Sequence, residues 1–289
     1  MNYRLPRKFP LLPRRKNTDK SDYGHTLILA GSRNMIGAAL LSSEAALKSG
    51  SGLVTLGMIE DLEEFTDKLS PEIMRLPLER TKSGSLGFLA CTKVFKFARK
   101  RKITAVALGS GLSQNDETGK LVRKLVRDFW VPVVLDADGL NSFRGRLFLL
   151  KHHKQPLVLT PHAREFERLF AQKLPDGEAR RIKLAKKLSR FYDVVLVVKG
   201  PRTLVISGDT VYKNHTGNPG MAKGGTGDVL TGIIASFISQ RLSPFLASVW
   251  AVYFHGLAGD LAAKRESELS MTASDIVSLL PRAFKSSLE

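Results

Sequence analysis

The chain has 289 residues, 43% of them hydrophobic, enough to bury a full core in one large domain or two small ones. Forty-five basic against 27 acidic residues leave a net charge of +18, a field that attracts anions such as nucleotides, nucleic acid or a membrane surface but says nothing about fold. The single cysteine, Cys91, excludes an internal disulfide and a cysteine metal cluster and fits a reducing cytoplasm, and the lack of an unbroken run of about 18 apolar residues predicts no membrane span.

Residues 1–20 carry seven Lys/Arg without an apolar stretch, so they read as a basic, mobile extension rather than a secretory signal. From there apolar runs alternate with helical patterns. Strands are predicted at 25–30, 53–56, 105–108, 132–136, 157–159 and 194–198. Helices are predicted at 37–49, 116–129, 164–170 and 176–191. The basic blocks at 93–102 and 180–190 have helical spacing and read as solvated helix faces. The rhythm then changes: 203–207 and 210–213 flank Gly208-Asp209, a hairpin signal, and helices follow at 228–240, 244–264 and 272–280. Repeated βα units predict an α/β fold, a mostly parallel sheet covered by helices on both faces, with an antiparallel edge hairpin. No linker divides residues 21–289, which therefore read as one domain behind the extension.

Residues 218–230 are the most informative segment. Gly220, Gly224, Gly225 and Gly227 crowd into eight residues, and an apolar helix starts at once near Asp228. Glycines let backbone approach a ligand closely. The free N–H groups of a helix start attract an anion such as a phosphate. Asp228 reads either as a favourable first-turn acid or as a base on a hydroxyl facing a phosphorus, with the N–H groups stabilising the transferred group. No Walker A spacing and no dinucleotide Gly-x-Gly-x-x-Gly fingerprint occurs, which argues against a hydride-transfer dehydrogenase. Asp136 and Asp138 read equally as a magnesium-adjacent pair or as an Asx turn with Gly139. Glu165 reads as a first-turn acid or as a substrate or metal contact, His255 as a satisfied core histidine and Asp260 as a helix-face residue near the site.

Together these pieces resemble one family. Gly24 to Ser32, Gly37-Ala38-Ala39, Lys48 to Val54, Leu108-Gly109-Ser110-Gly111-Leu112, Asp136-Ala137-Asp138-Gly139-Leu140-Asn141, Thr160-Pro161-His162, Val198-Lys199-Gly200, Asn218 to Gly232 and His255 to Asp260 follow the order and spacing of the NAD(P)H-hydrate dehydratases, over about residues 22–285. The resemblance implies a ribokinase-like fold. It also implies ADP- or ATP-dependent dehydration of the S epimer of hydrated NADH and NADPH, through phosphoryl transfer to the ring hydroxyl and elimination, with Mg²⁺ beside the nucleotide. Position by position, it implies Asp228 as base and substrate contact and Ala38, Gly111 and His162 as the wall for the hydrated cofactor. Lys199, Gly200, Pro201, Arg202, Thr203, Asn218, Gly224, Gly225, Thr226 and Gly227 would hold the nucleotide. No residue is assigned as a metal ligand. Expected partners are a separate NAD(P)H-hydrate epimerase and further copies of the chain in a homo-oligomer, with no membrane.

The sequence departs from the family pattern in places: residues 31–37 lack an aromatic before Gly37-Ala38, His162-Ala163-Arg164-Glu165 replaces a commoner Pro-Gly pair, and Lys223 stands where a small residue is usual. Lys223 is expected to add positive charge beside the phosphate turn. Two rivals remain: a vitamin-precursor alcohol kinase of the same fold, often with Cys at the position of Asp228, and a basic nucleic-acid binder on a non-catalytic version of it.

Overall fold

The computed structural model describes residues 2–6, 8–11, 13–14, 16–62 and 69–286. Five of the strands are short, fully buried apolar runs, the pattern of a sheet covered on both faces: β1 (His25–Leu29), β4 (Ala105–Leu108), β5 (Val133–Leu135), β6 (Leu157–Leu159) and β7 (Val194–Val198). With β2 (Leu53–Ile59), β3 (Met74–Leu78), β8 (Leu204–Ser207) and β9 (Thr210–Lys213) they form one nine-stranded sheet in the order β3-β2-β1-β4-β5-β6-β7-β8-β9. Every pairing from β3 to β7 is parallel, and β7-β8 and β8-β9 are antiparallel. This is the expected α/β sheet with its edge hairpin.

β3 carries no clear strand signal in the sequence. Arg75 and Pro77 interrupt its pattern, and the strand tolerates them because it forms the sheet's edge, where a missing N–H costs little.

Nine α-helices lie among the described residues: α1 (Ile36–Lys48), α2 (Ala90–Lys100), α3 (Asp116–Asp128), the short α4 (Ala137–Asn141), α5 (Ala163–Phe170), α6 (Glu178–Tyr192), α7 (Thr226–Ser239), α8 (Pro244–Glu266) and α9 (Ala273–Lys285). The chain runs outward from β1 to β3 and then returns to β4 beside β1. Right-handed crossovers therefore put α1 on one face and α2, α3, α5 and α6 on the other. Helices α7, α8 and α9 join α1. Helix α9 passes through Pro281 instead of stopping before it, because Ala283, beyond the proline, is fully buried in the core.

The reversal between β1 and β4 creates a crevice at the carboxyl ends of the strands, where ligands of open α/β sheets bind. Helix α7 is driven into it. Its side chains from Val229 to Ser239 are all buried, and a Cβ at Gly232 would stand 2.1 Å from the Ser42 carbonyl oxygen of α1. The small residues of α1 and this glycine let two helix backbones nearly touch, which fixes the start of α7 over the strand ends.

Helix α8 is the one described helix long and apolar enough to cross a bilayer. His255 and Asp260 hide that length from a search for unbroken apolar runs, and 67% of its most apolar stretch is buried in the fold.

The described part of the N-terminal segment is not a free extension. Phe9 is 4% exposed, with its ring 5.0 Å from Phe237, 5.0 Å from Trp250 and 4.8 Å from Phe254. Tyr3 donates its N–H to the Val211 carbonyl of β9 at 2.7 Å. The basic residues obscure this anchor in the sequence. Phe9→Ala is expected to cost about 3–5 kcal/mol, read as a lowered denaturation midpoint. An unchanged midpoint would show that the segment is only draped on the core.

Candidate active site

Four strand ends and one helix start converge in the crevice. β4 ends in Gly109-Ser110-Gly111, β5 in Asp136, β6 in Thr160-Pro161-His162 and β7 in Lys199-Gly200, while the first turn of α7 supplies Asp228. Gly109 has φ +135°, and a Cβ there would stand 1.9 Å from the Asp136 carbonyl oxygen, so glycine alone lets β4 and β5 leave the sheet side by side. A Cβ at Gly111 would meet the Cβ of Ala38 at 3.0 Å, which places these two expected substrate-wall residues against each other, with Met35 behind them.

Asp136 is 1% exposed and is the hub of the site. Its Oδ1 accepts from Thr160 Oγ1 and from Lys199 Nζ, each at 2.7 Å, and its Oδ2 accepts from Thr231 Oγ1 at 2.9 Å. Lys199 Nζ also lies 3.5 Å from Glu165 Oε2. Burial works against the Lys199 ammonium, but Asp136 and Glu165 outweigh it, so its pKa is raised and the lysine stays charged.

His162 caps α5. Its Nδ1 accepts from the N–H groups of Arg164 at 3.1 Å and Glu165 at 3.3 Å, while Glu165 Oε2 accepts from the His162 N–H at 2.8 Å. Burial, opposed by Glu165, lowers the His162 pKa, so the ring is neutral at pH 7; its Nε2 lies 3.4 Å from Glu165 Oε1, and 44% of the side chain is exposed.

The Asp228 carboxyl is pushed up to about 6, first by burial and next by the Asp136 carboxylate. Ser110 and the Lys199 ammonium pull it back in part. The Ser110 hydroxyl comes close enough to act on Asp228 but completes no well-formed hydrogen bond.

Beside this cluster lies a cavity of about 580 Å³. Of the expected nucleotide residues, Lys199, Gly200, Pro201, Arg202, Thr203, Asn218, Thr226 and Gly227 line it. Gly224 and Gly225 do not. Gly225 takes φ +91° to start α7, its free side meeting Leu41 and Ala273, and the space where a Cβ would stand on Gly224 is open. Ala38, Gly111, His162 and Asp228 lie outside the cavity lining; Asp228 follows the lining residue Gly227 and faces Ser110, the chain neighbour of Gly111.

A second cavity, of about 630 Å³, opens at the opposite ends of β6 and β7, lined by His153, Arg190, Ser243 and their neighbours. Both ring nitrogens of His153 are engaged by carbonyls there, and the residues of the glycine turn are far from it in the fold, so it is not the chemical centre.

Other expectations change on contact with the structure. His255 is not a satisfied core histidine: it lines the 580 Å³ cavity beneath Thr226, and its buried Nε2 has no hydrogen-bond partner. Burial lowers its pKa to about 4, so it is neutral. Val252 and Gly256 join it on the cavity wall, one turn of α8 from end to end. Lys223 does not face a phosphate. Its Nζ donates to the Leu269 carbonyl at 2.6 Å and the Met271 carbonyl at 2.7 Å, strapping the glycine turn to the α8–α9 connection. Asp260 accepts from the Gly217 N–H at 2.9 Å and from Asn218 Nδ2 at 3.1 Å, holding the loop that enters the turn.

No group of three or more His, Cys, Asp or Glu side chains arranged to hold a metal ion occurs among the described residues. Asp136 is fully engaged, and Asp138 accepts from the Ser113 N–H at 2.9 Å and Asn141 Nδ2 at 3.1 Å. Both carboxylates of the pair thus have partners within the fold.

Fold and site geometry together define the ribokinase-like class. A ribokinase-like superfamily protein from Enterococcus faecalis superposes with a TM-score of 0.79 at 27% identity, covering 95% of this chain and 91% of that one. The family model described as NAD(P)H-hydrate dehydratase matches residues 26–282, and the chain belongs to that family. The ADP/ATP-dependent NAD(P)H-hydrate dehydratase from Bacillus subtilis, co-crystallised with ATP and Mg²⁺, is 30% identical with a TM-score of 0.77, covering 95% of this chain and 93% of that chain. The bifunctional NAD(P)H-hydrate repair enzyme Nnr of Moorella thermoacetica is 39% identical over 272 residues. That match takes in 93% of this chain and 51% of Nnr, so the chain spans about half the length of the curated relatives it matches. A hydroxyethylthiazole kinase from Pyrococcus horikoshii, at 17% identity and a TM-score of 0.57, shares the fold.

Proposed function

We propose that the chain dehydrates the S epimer of hydrated NADH and NADPH, with ADP or ATP as phosphoryl donor and magnesium accompanying the nucleotide. The reading rests above all on Asp228: a carboxylate with a pKa near 6 that follows Gly227 on a cavity lined by Lys199–Thr203 and faces Ser110, next in the chain to the Gly111 that packs on Ala38. The nucleotide lies in the cavity with its terminal phosphate at the start of α7, where the backbone N–H groups of Thr226 and Gly227 and the Lys199 ammonium face it.

The hydrated ring lies against Ala38, Gly111 and His162 and presents its hydroxyl to Asp228. The hydroxyl oxygen attacks the terminal phosphorus, its proton passes to Asp228, and the bond from phosphorus to the departing nucleotide breaks. The ring carbon–oxygen bond then breaks. Phosphate leaves with the electron pair, and a proton leaves the adjacent ring carbon to restore the double bond. An NAD(P)H-hydrate epimerase would keep the S epimer supplied, and assembly as a homo-oligomer belongs to the same proposal.

The test is recovery of reduced-nicotinamide absorbance from hydrated NADPH with ADP, with ATP and with neither. Recovery with a nucleotide and none without supports the reading. Phosphorylation of a thiazole or hydroxymethylpyrimidine alcohol without recovery would instead support a kinase.

The base must be ionised to work, and its pKa of about 6 sets where that happens. The kcat/KM for hydrated NADPH is therefore expected to fall on the acid side by a single ionisation centred near pH 6. A limb centred near 4, the ordinary carboxylate range, would show that another group carries the proton.

A further inference from the structure

Asp136 occupies the N-cap position of α4, where an aspartate ordinarily accepts from the helix's own first N–H groups. Its side chain makes no such bond. The turn is instead held with Ala137 at φ +47°, a left-handed conformation that an alanine rarely adopts. The carboxylate faces the site, where Thr160, Lys199 and Thr231 occupy its two oxygens. Lys199 comes from β7, the nucleotide side. Thr231 lies on α7 close to one turn beyond Asp228. One buried carboxylate thus joins the phosphate-facing ammonium to the helix that carries the base, and a Cβ at Gly227 would stand 3.8 Å from its Oδ2. An acid placed to cap a helix or close a turn has no use for this geometry.

We propose that Asp136 is a positioning residue for the reaction: it holds the Lys199 ammonium at the phosphate cradle and fixes that cradle to the Asp228 helix. The proposal rests on the dehydratase reading of the site. Without Asp136, the remaining carboxylate beside Lys199 is Glu165, and the ammonium swings to it and away from the nucleotide.

Asp136 also acts on Asp228 directly, as the nearest like charge. The other groups facing Asp228 are Ser110 at the end of β4, Lys199 at the end of β7 and Glu165 on α5. From α8 the neutral His255 lies against Thr226, and α1 and α9 meet the glycine turn through the apolar Leu41 and Ala273. Removing the Asp136 charge while leaving the others in place lowers the Asp228 pKa.

The test compares Asp136→Asn and Thr231→Val with wild type in the full chain. For Asp136→Asn the equilibrium Kd for ADP is expected to rise about tenfold, the loss of one charge-assisted contact. The KM for hydrated NADPH should move much less, and the acid limb of kcat/KM should shift below the wild-type midpoint. Thr231→Val keeps the charge and cuts only the link to α7, so kcat falls while the Kd for ADP stays near wild type. If Asp136→Asn does not fold, Thr231→Val alone decides: a wild-type kcat in a stable Thr231→Val protein overturns the proposal. So does a folded Asp136→Asn whose Kd, KM ratio and pH midpoint are unchanged and whose activity falls only with the folded fraction. The Kd for ADP reads Asp136 without turnover. A wild type that binds ADP but never recovers NADPH therefore sinks the dehydratase reading, not the positioning role.

Discussion

Asp228→Asn is expected to lower kcat by about 10²–10⁴-fold, the range for loss of a positioned general base, with the nucleotide still bound. Asparagine matches the shape of aspartate and keeps the start of α7 intact, but it accepts no proton. The same substitution should make the protein more stable at neutral pH. An unfolded Asp228 releases its proton near pH 3.8, whereas the folded one holds it to about pH 6. Between those values the unfolded state binds fewer protons, so wild-type stability contributed by this group falls as pH rises through the window and stays low above it. The asparagine variant lacks that loss. Urea denaturation at pH 4 and pH 7 checks the sign: the variant should gain on wild type between the two. Equal pH dependence would mean that burial does not strain the carboxylate.

Lys199→Met is expected to be costly in two ways. It leaves Asp136 and Glu165 buried without their shared cation, and breaking a buried ion pair from one side costs about 3–5 kcal/mol. The side chain is only 16% exposed, so solvent screens little of this. The same change removes a point charge facing the phosphates, worth about 1.5–3 kcal/mol for a charge-assisted hydrogen bond and so about 10–100-fold in nucleotide KM. Thermal denaturation and nucleotide titration separate the two effects. The double variant Asp136→Asn with Lys199→Met should recover the part of the stability lost at Asp136, while Glu165 still lacks its cation, and none of the nucleotide affinity. A single variant with wild-type stability would show that the carboxylates are neutralised some other way.

Much of this was legible in the sequence because of how the sheet is buried. The inner strands are covered on both faces and write themselves as apolar runs, and the hairpin after β7 announces itself at Gly208-Asp209. The glycine turn and Asp228 were legible because four glycines ahead of an apolar helix serve few purposes other than backbone approach. What stayed hidden depends on the third dimension. Nothing near Asp136 in the chain says that its carboxylate turns away from its own helix to meet a lysine 63 residues on. Lys223 reads as a phosphate charge until its carbonyl partners, 46 and 48 residues distant, are seen. Phe9 is a lone aromatic among basic residues, and only the gap between α7, α8 and α9 gives it a place. The +18 charge is likewise no guide to the site. Arg180, Arg181, Lys183 and Lys187 point to solvent on α6, and Arg190 pairs with Asp209, while the chemistry sits among buried acids and one lysine.

The central claim is that Asp228 takes a proton from a ring hydroxyl as that oxygen attacks phosphorus. An oxygen-isotope label placed on the hydroxyl of hydrated NADPH follows the oxygen itself. If phosphorus receives it before the carbon–oxygen bond breaks, the label leaves in the inorganic phosphate released during turnover. Recovery of NADPH with the label in water instead would mean that the hydroxyl departs without ever bonding to phosphorus, and the role given to Asp228 would be wrong.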